Sequence, residues 1–387
     1  MSEKERICSV GIWDGTIPGI TFDETGKSSY CHLQENLIKS YPRDAQAMKY
    51  WESLVEEMKR NGKGKKYDCI VGVSGGTDSS FLLHIAKQYG LKVLAMNLDN
   101  GWNSDIAVKN IKTVTSKLGY DLETYVINYE DVKIVLRAYI KAGLPWIDTT
   151  TDMAIKAALY KTAYREQIRF ILTGSDFRTE GKQPFEWTYS DFKQFNYLWR
   201  RFETKKPVTF PVLSYRKLFF YNYCIKIKLY NPFYFIEYSK QTAQKLLTDQ
   251  YGWEYYGEHH HENIFTKFII SYWLPVKFGI DKRKITYSAQ ILNGDISREK
   301  ALEIISRPGY AEKEIAQEIS YFLKKLDLSE DNFKDVFQQP NKFYYDYPNS
   351  YDLIFNRILG NFAILKKLLP NKPVSVYLSE ITRSTSN

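Results

Sequence analysis

A short glycine-containing loop, residues 74–79, has side chains and a position that point to phosphate chemistry. It reads SGGTDS and lies between an apolar, β-prone segment, residues 67–73, and a helical pattern that starts at Ser79. Two glycines let a backbone approach an anion closely, and N–H groups, hydroxyls and a helix N-terminus can converge on phosphate oxygens. The lysine of the GxxxxGK[ST] loop is missing, so a cradle for a transferred γ-phosphate is not expected. A Gly-Gly turn with a serine cap is the purely structural alternative.

Asp78 is the unusual member of this loop, because its charge would repel a phosphate. A divalent cation between the two would remove that conflict, and Mg²⁺ prefers carboxylate and phosphate oxygens. The sequence therefore predicts that Asp78 meets Mg²⁺ through pyrophosphate.

Alternating strand and helix patterns around the loop predict an α/β fold with a doubly wound parallel sheet. The predicted strands are residues 67–73, 92–97, 121–127 and 170–173. The predicted helices are residues 43–61, 79–89, 104–118 and 155–167. The carboxyl ends of such strands face the ligand crevice, which brings residues 96–102 and 172–177 to the same side as the loop.

The strand–helix rhythm ends near residue 195 and divides the chain. We predict four parts: a small irregular, degenerate zinc-ribbon-like unit at 1–42, an ATP-binding domain at 43–195, a mainly helical, aromatic-rich substrate or partner region at 196–380, and a disordered tail at 381–387.

In these residues the sequence resembles the PP-loop ATP pyrophosphatases, whose signature is SGGxDS. The resemblance implies an adenine nucleotide alpha hydrolase-like fold, with ATP and Mg²⁺ as cofactors. It also implies adenylation of a substrate oxygen, release of pyrophosphate, and displacement of AMP by a nitrogen or sulfur nucleophile. Asn97 and Asn100 are candidates to hold adenine, although a polar turn is as ordinary a role for either. The candidate cofactor-binding residues are Ser74, Gly75, Gly76, Thr77, Asp78, Ser79, Asn97, Asn100, Thr173 and Gly174.

A closer resemblance, over nearly the whole chain, is to N-acetyl sugar amidotransferases of bacterial surface polysaccharide synthesis. It rests on residues 18–24, the loop, residues 145–148 and 260–268 and, most specifically, residues 274–284. The resemblance implies a nucleotide-linked acetamido sugar as substrate and an acetamidino sugar as product, for lipopolysaccharide O-antigen or a related glycan. Ammonia would come from a separate glutaminase of the imidazole-glycerol-phosphate-synthase type, with or without its cyclase-like companion.

Several polar residues are candidates for work on the acceptor. Asp152 either caps a helix or, as the resemblance implies, acts beside Ser74 and Asp78 as a catalytic residue. Adjacent histidines do not point at one metal centre, so substrate contact is the favoured role for His261 or its neighbour Glu262. The alternative for the histidine is a hydrogen-bonded structural role. Lys282 and Arg283 could hold a phosphate or a carboxylate, or form a solvated turn. The candidate substrate-binding residues are Asp148, His261, Glu262, Lys267, Lys282 and Arg283.

Composition limits the classes of partner. The net charge of +9, from 54 basic and 45 acidic residues, favours anionic partners. Spread over the chain without a dense basic stripe, this charge does not predict a nucleic-acid partner. No apolar run approaches the ~20 residues of a membrane span, and the N-terminus lacks an apolar signal stretch, so we expect a cytoplasmic protein. The alternatives are a tRNA-modifying PP-loop enzyme and a nucleotide-binding scaffold without catalysis.

The N-terminal cysteines depart from the family pattern. Members commonly begin with two cysteine pairs, but here Gly11 stands where the partner of Cys8 would be, and Ser28 where the partner of Cys31 would be. Two thiolates do not make a four-ligand zinc site, so no structural zinc is expected.

Overall fold

A parallel sheet of five strands lies at the centre of the computed structural model, which describes residues 6–257, 262–310 and 312–358. The sheet has the strand order β3-β2-β1-β4-β5. Its strands are β1 (Cys69–Gly72), β2 (Val93–Asp99), β3 (Asp121–Val126), β4 (Phe170–Leu172) and β5 (Lys228–Tyr230).

The order of the strands creates one topological switch point. The chain proceeds from β1 to β2 and β3, then returns to place β4 on the other side of β1. Ligands of open α/β sheets bind at the carboxyl ends of the strands where the order reverses. Here that point lies between the ends of β1 and β4, where residues 74–79 and 173–174 follow the strands.

Helices cover both faces of the sheet, which confirms the predicted doubly wound fold. Up to the last strand they are α1 (Ser29–Ser40), α2 (Ala45–Asn61), α3 (Thr77–Gln88), α4 (Asp105–Leu118), α5 (Tyr129–Lys141), α6 (Thr149–Arg165), α7 (Phe177–Glu180), α8 (Phe185–Thr188), α9 (Phe192–Phe202) and α10 (Tyr215–Phe219). Beyond it they are α11 (Lys240–Tyr251), α12 (Ile264–Phe268), α13 (Arg283–Asn293), α14 (Arg298–Ile305), α15 (Glu312–Lys325) and α16 (Glu330–Gln338).

Short segments of other helix types connect these elements. π-helical turns cover Phe220–Cys224, Ile269–Phe278 and Asp352–Ile358, and 3₁₀ turns cover Pro232–Tyr234 and Tyr344–Asp346.

Alternation along the strands divides the core into two layers. Ile70 of β1 faces a cluster with α5, α6 and apolar residues of the C-terminal helices. Its neighbours Cys69 and Val71 face a second cluster with α2, α3, α4 and α11. Because successive side chains of a strand point to opposite faces, one buried strand supports both layers.

Three elements differ from the sequence-based expectation. The N-terminal unit contains α1, which begins where the Ser28 side chain accepts a hydrogen bond from the Cys31 N–H and which buries Leu37. Helix α5 begins at the Asn128 cap. Strand β5 pairs with β4, so the sheet extends beyond the border predicted at residue 195, into the region predicted to be mainly helical. The predicted tail, residues 381–387, lies outside the described residues. Among the residues described, no helix is long and apolar enough to cross a membrane.

Candidate active site

The loop at residues 74–79, called the phosphate loop below, is held in one conformation by its glycines. Gly75 has a φ of +82°, which L side chains rarely adopt, and a Cβ there would collide with the backbone of Ala107 in α4. Its carbonyl accepts hydrogen bonds from Trp253 Nε1 at 2.9 Å and from Asn110 Nδ2 at 3.3 Å. The close approach of α4 therefore requires glycine at this position.

The two serines of the loop brace it at the start of α3. The Ser74 N–H donates to Ser79 Oγ at 3.2 Å, and the Gly76 N–H donates to Ser74 Oγ at 3.3 Å. Helix α3 begins after Gly76, which offers no side chain as a cap. An anion at this helix terminus would meet backbone N–H groups and both hydroxyls, as predicted for a phosphate site.

The end of β4 packs directly against this loop. A Cβ on Gly174 would lie 2.8 Å from the carbonyl carbon of Asp78 and 3.0 Å from the Ser79 nitrogen. The Thr173 hydroxyl is hydrogen-bonded to Asn231, which follows β5. Thr173 and Gly174 thus lie on the same side of the sheet as the loop, as the sequence predicts, at the switch point of the sheet.

Asp78 is flanked by two residues that the sequence did not single out. The buried Tyr238 hydroxyl donates to Asp78 Oδ1, and Lys240 Nζ lies 3.6 Å from Asp78 Oδ2. Burial opposes the charge of Lys240, but the carboxylates of Asp78, Glu180 and Glu262 outweigh it and raise the pKa of Lys240. A lysine from the start of α11 therefore supplies the positive charge that the loop itself lacks.

Residues of α11 and of the segment that follows it also contact the loop. The Thr77 N–H donates to the Tyr256 hydroxyl at 3.4 Å, and Gln244 Nε2 donates to Thr77 Oγ1 at 3.3 Å. A Cβ on Gly76 would lie 3.5 Å from Glu262 Oε1. The structure thus places Glu262, a predicted substrate contact, beside the phosphate loop, while His261 lies outside the described residues.

The predicted adenine contacts lie at the end of β2. Asn97 is buried in the strand, in register with Thr124 of β3. Asn100 donates to the Thr151 hydroxyl at 3.1 Å and accepts from the Trp102 N–H at 3.1 Å. Asn100 therefore ties the end of β2 to the start of α6, and the adenine role of both asparagines stays a prediction.

A cavity of about 370 Å³ opens beside this site. One part of its wall is apolar and aromatic, the rest polar and charged. Its lining residues are Glu180, Gly181, Gln183, Ile270, Ser271, Pro275, Val276, Asp281, Lys282, Arg283, Thr286, Tyr287, Gln290, Pro308, Gly309 and Tyr310.

Lys282 is the distinctive cation of the cavity wall. Its Nζ lies 3.5 Å from the centroid of the Trp146 ring, and Trp146 Nε1 donates to Asp152 Oδ2 at 3.1 Å. Burial lowers the pKa of Lys282 to about 8, against the opposing effect of Asp152, Glu180 and Asp148. The structure therefore brings the predicted residues Lys282, Asp148 and Asp152 into one electrostatic cluster.

The charge of Glu180 affects both the phosphate loop and the cavity wall. It ends α7, lines the cavity, and its charge acts on both Lys240 at the phosphate loop and Lys282 in the cavity wall. Neither Tyr238, Lys240, Glu180 nor Tyr256 stands in a motif, so no local signal in the sequence identified them.

Three of the predicted substrate contacts also bind other residues of the chain. Arg283 makes a bidentate ion pair with Asp281 and donates to the Arg307 carbonyl, although it still lines the cavity. Lys267 pairs with Glu318 of α15 at 2.5 Å. The Asp148 carboxylate accepts a hydrogen bond from Thr266 of α12.

The N-terminal cysteines meet in space. Cys8 and Cys31 are both buried, Cys8 Sγ accepts from the Ser28 N–H at 3.3 Å, and a hydrogen bond from Cys31 lowers the pKa of Cys8. A Cβ on Gly11 would lie 2.5 Å from the Trp13 ring. The described residues contain no group of three or more metal-ligating side chains. The absence of structural zinc remains a prediction.

Comparisons with solved structures return proteins of low sequence identity. NMN synthetase from Francisella tularensis is 14% identical, with 77% of this chain and 100% of that chain covered and a TM-score of 0.32. NH3-dependent NAD synthetase from Campylobacter jejuni subsp. jejuni NCTC 11168 is 14% identical, covers 52% and 83%, and has a TM-score of 0.28. U34-tRNA thiolase NcsA from Methanococcus maripaludis is 15% identical, covers 66% and 80%, and has a TM-score of 0.31.

A family model matches a segment that includes most residues of the cavity wall. No curated protein matches the chain. Residues 262–359, about a quarter of the chain, match the family described as LPS biosynthesis protein WbpG-like, C-terminal domain. This segment contains Lys282 and most of the other residues that line the cavity.

Proposed function

We propose that the protein is an ATP-dependent amidotransferase that converts an acetamido group of a nucleotide-linked sugar into an acetamidino group. The amide oxygen attacks the α-phosphorus of ATP, the bond to the β-phosphate breaks, and pyrophosphate leaves. Ammonia adds to the activated carbon, and the former amide oxygen departs within AMP. Loss of a proton from nitrogen completes the amidine, with no change in oxidation state.

The observation that carries this proposal is a phosphate loop and a cavity whose cations both lie within the electrostatic reach of one carboxylate. The charge of Glu180, which lines the cavity, acts on Lys240 at the loop and on Lys282 in the cavity wall. We propose that a ligand in the cavity presents its amide oxygen to a nucleotide on the loop. Holding two reactants in contact supplies a large part of the rate enhancement of such a transfer.

The loop residues suit a pyrophosphate with Mg²⁺. Asp78 offers a carboxylate, an oxygen ligand that Mg²⁺ prefers, beside backbone N–H groups that can donate hydrogen bonds to phosphate oxygens. Mg²⁺ would neutralise charge on the leaving pyrophosphate. Lys240 would complete that role from the side of Asp78, and Tyr238 would hold the carboxylate in place.

The cavity favours a sugar as the acceptor. Its volume lies near the lower end of the range for small-molecule sites, about 300–1,000 Å³. Tyr287 and Tyr310 give it aromatic surface, and Gln183, Thr286 and Gln290 give it hydrogen-bonding groups. The WbpG-like match of this wall supports a substrate of lipopolysaccharide synthesis, such as the sugar of an O-antigen precursor.

The proposal requires a source of ammonia. Cys8, Cys31 and Cys69 are buried, and Cys224 is exposed. We propose that a separate glutaminase of the imidazole-glycerol-phosphate-synthase type, with or without its cyclase-like companion, delivers ammonia to the cavity.

Mass spectrometry of the products tests the proposal. The protein is incubated with ATP, Mg²⁺, a high concentration of ammonium and a panel of UDP-linked acetamido sugars. We expect AMP, pyrophosphate and a sugar product in which NH replaces O. AMP formation only with bulk tRNA would replace the proposal by a tRNA-modifying function. ATP binding without turnover, even after a glutaminase is added, would leave a scaffold.

A further inference from the structure

One long segment of the chain carries basic residues and no acidic ones. Between Glu203 and Glu237 the sequence contains no acidic residue and six basic ones, against a net charge of +9 for the whole chain. These basic residues are Lys205, Lys206, Arg216, Lys217, Lys226 and Lys228. The positive charge is therefore unevenly distributed along the chain, whereas composition alone led us to expect an even distribution.

The same segment exposes large aromatic side chains. Phe219 is 60% exposed and Tyr223 is 69% exposed, and next to them Tyr215 and Phe220 are 42% and 40% exposed. Single exposed apolar residues are ordinary, but a contiguous group marks an interaction site. We call this group the basic aromatic surface; it consists of Tyr215, Arg216, Lys217, Phe219, Phe220, Tyr223 and Lys226.

The basic aromatic surface is firmly anchored to the fold. Helix α10 begins at the Ser214 cap and continues into the π-helical turn Phe220–Cys224. Tyr221 in that turn is buried against Tyr160 and Tyr164 of α6, at centroid distances of 5.8 and 5.5 Å. The exposed rings therefore project from an ordered support.

The charges limit what can cover this surface. A second copy of the chain, related by a twofold axis, would set basic residues against basic residues, and like charges across an interface weaken it. Protein interfaces are also depleted in lysine, whereas lysine supplies most of the charge in this segment. Base stacking needs open ring faces, but Phe219 and Tyr223 partly cover each other at a centroid distance of 4.8 Å.

Aromatic side chains flanked by lysine and arginine match the chemistry of an anionic bilayer surface. Aromatic rings partition into the headgroup region, and each nearby basic residue adds attraction to acidic lipids. We propose that the basic aromatic surface docks the protein peripherally onto an anionic lipid bilayer, with Phe219, Phe220 and Tyr223 entering the headgroup layer.

This placement is compatible with an open catalytic site. Helix α6 carries Asp152 at its start, near the cavity, and Tyr164 near its end, under the basic aromatic surface. The two positions are ~18 Å apart along the helix axis. Docking through one end of α6 would leave a water-soluble nucleotide sugar free to enter at the other.

Vesicle co-sedimentation tests the proposal with the full-length protein. We expect binding to vesicles of phosphatidylcholine mixed with phosphatidylglycerol, and little binding to phosphatidylcholine alone. Two double variants, Arg216→Glu with Lys217→Glu, and Phe219→Ser with Tyr223→Ser, are each expected to lower the partition coefficient at least about tenfold.

A matched control separates this surface from net charge. Lys112→Glu with Lys245→Glu makes the same charge change on exposed residues of α4 and α11, on the opposite face of the sheet, and is expected to retain vesicle binding. Circular dichroism and thermal unfolding confirm that each variant is folded. Equal binding to neutral vesicles, equal loss in the control, or binding of tRNA but not of anionic vesicles would overturn the proposal.

Discussion

The phosphate loop and the cavity are built in different ways. The loop comes from one continuous segment between β1 and α3, and its serines brace each other across five residues. The cavity is assembled from α7, the π-helical turn Ile269–Phe278, α13 and residues 308–310. Local sequence thus encodes the loop, whereas tertiary packing assembles the cavity.

The largest effect is expected when the carboxylate of the loop is removed. Asp78→Asn should lower AMP formation by about 10²–10³-fold, because it removes the only acidic side chain of the loop next to the leaving pyrophosphate. Steady-state assays with ammonium and a responsive sugar measure the effect. Asp335→Asn, on exposed surface of α16, is the matched control. Unchanged turnover in Asp78→Asn would remove the loop from the mechanism.

The second prediction concerns the cation that reaches the loop from far along the chain. Lys240→Met should lower kcat by about tenfold to a hundredfold, because the developing charge on pyrophosphate loses an ammonium. Lys245→Met changes an exposed lysine of the same helix and should leave kcat unaltered. If both variants behave alike, Lys240 has no specific role.

The third prediction tests how strictly the loop conformation is determined. Gly75→Ala should lower the free energy of unfolding by about 2 kcal/mol or more, because it adds a clash with Ala107 to an unfavourable φ of +82°. Gly90→Ala also has a positive φ, +67°, but a Cβ there meets no atom within 4 Å, and its cost should be about 1 kcal/mol. Urea unfolding measures both. A Gly75→Ala cost no larger than that of Gly90→Ala would contradict the tight packing of the loop.

The fourth prediction concerns Lys282, a residue of the cavity wall, and separates the role of the cavity from that of the loop. Lys282→Met should raise KM for the sugar by about tenfold, because the cavity wall loses a partly buried cation, and should leave KM for ATP unchanged. Lys334→Met on exposed surface is the control. An equal rise in both KM values would show that Lys282 serves the whole site rather than the acceptor.

The dependence of KM for the sugar on pH tests the role of Lys282 in a second way. The pKa of Lys282 lies at about 8, so its ammonium is present below that pH and is lost above it. KM for the sugar should therefore rise in the wild-type protein as pH increases through about 8. In Lys282→Met this rise should vanish, and a variant that retains it would assign the titration to another group.

The fold and the loop could be predicted from the sequence because both depend on local patterns of residues. The four predicted strands, the loop at residues 74–79 and Gly174 all lie where the alternation of strands and helices puts them. Helix α5 was missed although Asn128, Glu130 and Asp131 give a usable start signal. Strand β5 could not be found, since three residues with an exposed lysine form no recognisable strand pattern.

The partners of Asp78 were beyond sequence reasoning for a different reason. Tyr238 meets Asp78 across 160 positions of the chain, in an aromatic stretch where many tyrosines look alike. Glu180 stands at the end of a four-residue helix, with no pattern that ties it to Lys240 or Lys282. Such contacts arise from the packing of α7 and α11 on the sheet and are visible only in three dimensions.

Transfer of oxygen-18 tests the central claim most directly. A UDP-linked sugar whose acetamido oxygen is labelled is incubated with the protein, ATP, Mg²⁺ and ammonium, and AMP is analysed by mass spectrometry. If the amide oxygen is adenylated and then displaced by ammonia, the label appears in AMP in the same amount as the amidine formed. Unlabelled AMP formed together with an amidine would contradict the account, because the oxygen would then have left by another route.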